Sequence, residues 1–297
     1  MASSRYAVID LGSNTFHLLI SDLDHQTQSF KEVFRKRSFV YLSRDGIQQL
    51  SNKAISRAVN CLKLMGALCR AYEVDEIEIF GTAVFRSASN IELITEAIAN
   101  YCGTTLRILT GEEEADYILK GISWTIESEE QPYLVMDIGG GSVEYILVDG
   151  DNVSRCSLNH GISVLRNEWE RSDPPSDSNL VELYNQLDRE FIEKEAYQLH
   201  LPVFLVGSSG PFEILESMLG QAICSRDQAL PCIRKILSAS LDERMSMDKV
   251  PEVRADLSME SMALVDNALR VFKTIESIRV SPFGIKEGFI REKLNLD

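Results

Sequence analysis

Asp137-Ile138-Gly139-Gly140-Gly141-Ser142 joins two apolar runs. Three consecutive glycines let the backbone curl until successive N–H groups face one concavity, which attracts anions. Ser142 adds a hydroxyl donor. Asp137, at the exit of a buried-type strand, is placed to hold Mg²⁺ or a water. Glu144 lies two residues past Ser142, so the two share a face of the outgoing strand. Asp10-Leu11-Gly12-Ser13-Asn14 copies the pattern: Asp10 stands where Asp137 does and is with Asp137 and Glu144 a candidate ligand for the cation, and Ser13 and Asn14 supply donors. Gly207-Ser208-Ser209-Gly210 is a third candidate, preceding a helix whose N-terminus favours anions. Arg86, in GTAVFRSASN, carries a guanidinium fork that suits a phosphate. A tight turn, a strand-to-helix turn and a surface ion pair are the plainer explanations of these features. The duplicated turn weighs against the first of them.

Glu112, Glu113 and Glu114 follow Thr110-Gly111. Thr110 with Glu113 is a capping box, and acidic residues in a first turn meet free N–H groups. Glu114 is one position later and precedes the apolar side of the helix at Ala115, Ile118 and Leu119. It is the candidate general base for a water, with like charges and phosphate nearby raising its pKa. The histidines His17, His25, His160 and His200 are scattered, which argues against a zinc site. His17 is expected to be structural or a minor hydrogen bonder.

These turns need strands on both sides. Residues 6–22 (YAVIDLGSNTFHLLISD) align with residues 133–149 (YLVMDIGGGSVEYILVD) at an offset of 127. Each copy is a β-hairpin with a glycine tip, and Gly81 and Gly207 recur at an offset of 126. Two related domains follow, expected as 1–125 and 126–297, with residues 126–132 as connector. Further strands are expected over 32–42, 76–80, 105–109, 152–159, 203–206 and 277–280. Helices are expected over 54–69, from a Ser89/Glu92 capping box to 99, from Thr110 to 119, and over 180–198, 211–219, 228–241 and 259–275. Residues 171–179 (RSDPPSDSN) read as an exposed loop. The plan is α/β with mixed sheets. A glycine turn between two strands speaks against a dinucleotide-binding fold, which places it between strand and helix.

The chain has 297 residues, a net charge of −15 and a normal globular balance of 44% hydrophobic and 25% charged residues. That acidity disfavours non-specific nucleic-acid binding, while local donors can still hold an anionic substrate. The six cysteines form no CxxC, as expected of reduced thiols in a cytoplasmic protein. The N-terminus enters a strand without a leader pattern, and no run is long and apolar enough for a membrane span.

The segments DLGSNTFHLLI, GTAVFRSASN, TGEEEADYILKG, DIGGGSVEYI, LVGSSG, VRADL and SPFGIKEGF run in the order of the exopolyphosphatase / guanosine pentaphosphate phosphohydrolase (Ppx/GppA) family, which the chain resembles from Asp10 to Phe289. DIGGGS alone would also fit other members of the sugar kinase / Hsp70 / actin group. The resemblance implies two ribonuclease H-like (actin-like ATPase) domains with an interdomain cleft. It implies hydrolysis of terminal phosphoanhydride bonds of polyphosphate, or of a guanosine pentaphosphate. Glu114 falls at the family's catalytic glutamate. Asp137 and Glu144 fall at acidic positions tied to a divalent cation, Mg²⁺ or Mn²⁺, and to the water. Gly139, Gly140, Gly141 and Ser142 fall at the phosphate loop, Arg86 at a phosphate-contacting arginine, and Asp10, Ser13 and Asn14 at the first loop. Phe39 stands near a position where many members carry arginine, and Arg37 or Arg44 is the expected substitute. The chain stops after two core domains, from which shorter polyphosphates and lower processivity are expected, with a homodimer as a family expectation. A kinase or ATPase of the same superfamily and a non-catalytic phosphate sensor are the rival readings. Nucleotide-dependent sugar phosphorylation would favour the first, and tight binding without turnover the second.

Overall fold

A computed structural model describes residues 4–126, 132–193 and 202–296. Most of the expected connector (127–131), the end of the expected helix (194–198) and His200 lie outside the described residues.

In chain order the first elements are β1 (Ser4–Leu11), β2 (Thr15–Asp24), β3 (Ser29–Phe39), α1 (Asn52–Ala71), β4 (Glu76–Gly81), α2 (Ala83–Ser87), α3 (Glu92–Cys102), β5 (Arg107–Ile108) and α4 (Gly111–Ile122). There follow β6 (Tyr133–Ile138), β7 (Val143–Asp149), β8 (Asn152–Leu158), α5 (Ile162–Glu168), α6 (Asp177–Glu193), β9 (Phe204–Gly207) and α7 (Gly210–Leu219). The last are β10 (Ile223–Ser225), α8 (Arg226–Leu237), α9 (Leu241–Met245), α10 (Glu252–Ala255), α11 (Ser258–Val271), β11 (Ser277–Val280) and α12 (Ile285–Lys293).

The chain divides into two compact units, Met1–Trp124 with Phe283–Asp297, and Thr125–Pro282. The second domain was expected to run to 297. Instead α12 returns to the first unit, for a steric reason: Gly121 of α4 and Gly288 of α12 let the two helix backbones touch. A Cβ at Gly288 would stand 1.9 Å from the Tyr117 carbonyl oxygen, and one at Gly121 1.9 Å from that of Gly284. The Phe289 ring stacks between Phe80, at 4.5 Å, and Tyr117, at 3.8 Å.

The first unit holds a mixed five-stranded sheet in the order β3-β2-β1-β4-β5. β1 pairs antiparallel with β2 and parallel with β4. Alternation puts Ala7, Ile9 and Leu11 of β1 into a core with Leu18 and Ile20 of β2 and with Ala58, Leu62 and Met65 of α1. The second unit repeats the plan with β10-β11-β9-β6-β7-β8. There β6 pairs antiparallel with β7 and parallel with β9. Its core joins Leu134 and Met136 of β6 to Met262, Val265 and Leu269 of α11. This is the mixed α/β architecture that the internal repeat implied, with two ribonuclease H-like units.

Local departures have local causes. Ser89 does not cap α3: its hydroxyl donates to the Gln48 carbonyl at 3.2 Å and to Gln49 Oε1 at 3.0 Å, and the helix starts at Glu92 behind Ile91. The expected helix 228–241 ends at Leu237, because Ser240 caps a new helix through its own box with Glu243. The expected loop 171–179 gives way to helix α6 at Asp177. The strand expected over 105–109 is confined to Arg107–Ile108.

Candidate functional site

In the second unit the triglycine turn follows β6. Its three carbonyls are all occupied from one side. Gly161 N–H donates to Gly141 O at 3.3 Å, Ile162 N–H to Gly139 O at 3.0 Å and Ser163 N–H to Gly140 O at 2.8 Å. The first turn of α5 thus fixes which way the loop faces. Among the described residues, the amides of Gly140, Gly141 and Ser142 donate to no other backbone group. A run of amides with their carbonyls turned away is the backbone arrangement that binds anions.

The carboxylates of this unit sit in a row across the sheet. Asp137 on β6 is the cross-strand partner of Glu144 on β7, which partners Ser157 on β8. Directly opposed residues point to the same face. Glu144 is fully buried and its Oε1 accepts from Ser157 Oγ at 3.0 Å. Asp137 Oδ1 accepts from Ser208 Oγ at 3.1 Å.

The third candidate loop, Gly207-Ser208-Ser209-Gly210, lies behind these residues. Ser209 Oγ accepts from Ile138 N–H at 2.9 Å, so it braces the end of β6. Gly207 is required by packing, since a Cβ there would stand 2.0 Å from the Phe212 ring. Arg254, in the VRADL segment, donates to Gly210 O at 3.2 Å and pairs with Glu213 at 2.7 Å, holding the far side of the loop.

In the first unit, the Asp10–Asn14 turn is tied down by the segment after β3. Val40 and Tyr41 N–H both donate to Asn14 O, at 2.9 and 2.8 Å, and Ser43 N–H to Ser13 O at 3.1 Å. The Ser13 hydroxyl is buried with no hydrogen-bond partner among the described residues. An orphaned buried hydroxyl marks a place where a further partner is wanted. Asp10 is the cross-strand partner of His17, and His17 of Arg37. Burial pushes the His17 imidazole well below its ordinary value of 6.5, and Lys286, Arg37 and Arg35 push it the same way. Arg35 pairs with the buried Glu287 at 2.7 Å. Lys286 and Arg35 were missed in the sequence, because only the fold brings α12 beside β2 and β3. Phe39 stacks on Tyr41 at 5.9 Å, and Arg44 lies over the Tyr41 ring at 5.8 Å.

The three glutamates of α4 separate as their positions required. Glu112 is exposed. Glu113 completes the capping box, and its bonds from Thr110 N–H and Arg107 hold it below the usual carboxylate range. Glu114 is buried, at 6% exposure. Its Oε2 accepts from Arg86 Nη1 at 2.8 Å, and the same nitrogen donates to Leu109 O at 2.7 Å. The sequence leads to an expectation of like charges around Glu114; a group in direct contact with it is instead a cation, Arg86. Arg86 arrives on α2, a five-residue helix that the sequence did not reveal.

Among the described residues, no group of three or more His, Cys, Asp or Glu side chains is arranged to hold a metal ion. The Asp137–Glu144 pair still fits a hard cation such as Mg²⁺. Such an ion takes oxygen donors, keeps several waters and binds through one or two carboxylates together with substrate phosphates. Cys61, Cys69, Cys102, Cys224 and Cys232 are free thiols. Burial pushes the Cys69 thiol up to about 12 and the Cys102 thiol up to about 11, which makes both poor nucleophiles. No described helix is long and apolar enough to cross a membrane.

A family model described as the Ppx/GppA phosphatase family matches residues 20–296. A guanosine-5'-triphosphate,3'-diphosphate pyrophosphatase of Vibrio vulnificus is 36% identical over 98% of this chain, and one of Aeromonas salmonicida is 27% identical over 97%. The chain spans 59% of the length of each of these relatives. The crystal structure of an exopolyphosphatase from Cytophaga hutchinsonii superposes with a TM-score of 0.90 at 26% identity, covering 98% of both chains.

Proposed function

Since the chain belongs to the Ppx/GppA phosphatase family, we propose that it hydrolyses terminal phosphoanhydride bonds and releases orthophosphate. Inorganic polyphosphate is the first choice of substrate and a guanosine pentaphosphate the second. The observation that carries this reading is the triglycine turn, whose carbonyls are held by residues 161–163 while, among the described residues, the amides of Gly140, Gly141 and Ser142 bond to no other backbone group. Such donors grip phosphate oxygens and read no base, which favours the simpler polymer. Two relatives carry the name of a guanosine nucleotide pyrophosphatase and a third that of an exopolyphosphatase, and both chemistries break a phosphoanhydride.

In this reading Glu114 takes the proton from the attacking water as the terminal bond breaks. Arg86 orients that carboxylate through Nη1, and the rest of its guanidinium fork is suited to a phosphate oxygen. Ser13, Asn14 and Ser142 add donors. Asp137 and Glu144 would hold Mg²⁺ or Mn²⁺, which neutralises developing charge on the phosphate oxygens. Ser208 and Ser209 act from behind, by fixing Asp137 and the end of β6.

Phosphate release from long-chain polyphosphate and from guanosine pentaphosphate, measured side by side with Mg²⁺, tests the proposal. Glu114→Gln should lose roughly 10²–10⁴-fold in turnover, the span of general acid–base catalysis, with KM changed by less than about tenfold. A variant that turns over like the wild type removes Glu114 from this role.

A further inference from the structure

We propose that His160 and Glu190 form a clasp that sets the phosphate affinity of the triglycine turn from behind, as positioning residues. The proposal rests on the reading of that turn as the phosphate loop. His160 ends the segment after β8 and immediately precedes Gly161. Its Nδ1 is bonded to Glu190 Oε2 on α6. The other oxygen of the same carboxylate accepts from Asn159 N–H at 3.1 Å. Gln186, one turn earlier on α6, places its amide nitrogen 2.9 Å from His160 Nε2. With the proton on Nδ1, all three bonds are satisfied at once: Nδ1–H donates to Glu190, and Nε2 accepts from Gln186. One carboxylate therefore grips both the backbone and the side chain of the corner, and the glutamine locks the ring.

The corner leads directly to the loop. Gly161 lies so close beneath it that a Cβ would stand 2.5 Å from Ser142 N and 2.6 Å from the Gly140 carbonyl. The amides of residues 161, 162 and 163 are the ones that hold the three glycine carbonyls. A rotation of the backbone at 160–161 would tilt these amides, and the loop would turn with them. His160 and Glu190 are polar and only partly buried. Their contribution is to the orientation of an anion-binding turn.

Two measurements separate this inference from the functional reading beneath it. The first is calorimetric binding of tripolyphosphate, which needs no turnover. The second is steady-state phosphate release. His160→Leu removes both ring bonds, Glu190→Gln keeps the shape and removes the charge, and His160→Asn restores a donor near the Nδ1 position. With both ring bonds lost, His160→Leu should weaken tripolyphosphate binding and raise KM by about tenfold. Its kcat should change by less than about threefold. Glu190→Gln should shift the same parameter by less, and His160→Asn should return to within about threefold of wild type. Unchanged binding in His160→Leu overturns the clasp, and so does equal loss of kcat and affinity that His160→Asn fails to repair. A wild-type chain that binds tripolyphosphate without releasing phosphate would count against hydrolysis and leave the clasp testable by binding alone.

Discussion

Gly288→Ala is the most direct test of how Glu114 is held. The added methyl would stand 1.9 Å from the Tyr117 carbonyl oxygen, where ordinary contact begins at 3.4 Å, so α12 and α4 must separate locally by about 1.5 Å. The obstacle is backbone on both sides and cannot be relieved by a rotamer change. Overpacking of this kind costs about 1–3 kcal/mol, and the absence of a yielding side chain puts it near the upper end. At about 3 °C per kcal/mol for a domain of this size, the midpoint should fall by roughly 3–10 °C. The functional effect follows from position. Tyr117 is one turn after Glu114 on α4, and its ring is stacked on Phe289, the residue next to Gly288. A displacement near 1 Å at a catalytic group can cost on the order of 100-fold in rate. Thermal melts and phosphate release would be measured beside a Gly220→Ala control. Gly220 has φ +73° and open space around its Cβ position, so that control carries backbone strain of about 1 kcal/mol without steric conflict. If Gly288→Ala melts no lower than the control and turns over at the wild-type rate, the packing does not position Glu114.

His17 is neutral in the folded protein, because burial and then its cationic neighbours depress its pKa from 6.5, whereas the unfolded chain protonates it below that value. The unfolded state then binds more protons, so the stability is whole above about pH 6.5 and declines as pH falls towards the folded pKa. Urea melts at pH 7.5 and 5.5 should show a smaller pH-dependent loss in His17→Asn than in wild type, and equal losses would refute the assignment. Thr110→Ala removes the hydroxyl that accepts from Glu113 N–H at 3.2 Å, and should cost about 1 kcal/mol by denaturant titration. Because the same helix turn carries Glu114, turnover should fall more than KM rises, and unaltered stability would show that the box is dispensable.

What could be read before the fold was known depended on how far apart the interacting parts lie in the chain. The paired turns at Asp10–Asn14 and Asp137–Ser142 were legible because turn, strand and repeat are local signals. Glu114 stood out from Glu112 and Glu113 because the cap and the apolar face of one helix distinguish the three. The α4–α12 contact was not legible, since Gly288 has meaning only once Tyr117 is beside it, about 170 positions earlier in the chain. The Ser89 box failed for the same reason in reverse. Its local pattern was sound, but Gln48 and Gln49 offered the hydroxyl better partners through tertiary structure. Arg86 was noticed as a guanidinium, yet its bond to Glu114 required β4 and β5 to be neighbours.

The repeat also explains why its two copies are not interchangeable. In the second unit the row across the sheet reads Asp137, Glu144, Ser157. In the first it reads Asp10, His17, Arg37. The positions correspond strand by strand, so the backbone offers both rows the same spacing and the same face. Their chemistry differs in sign. Two carboxylates and a hydroxyl supply oxygen donors and net negative charge, which suits a hard divalent cation. A single carboxylate flanked by an imidazole and a guanidinium, with Lys286 and Arg35 acting on the same imidazole, leaves an excess of positive charge. That excess favours anionic oxygens. Duplication of one hairpin thus yields two rows of different charge at corresponding positions, without any change in fold.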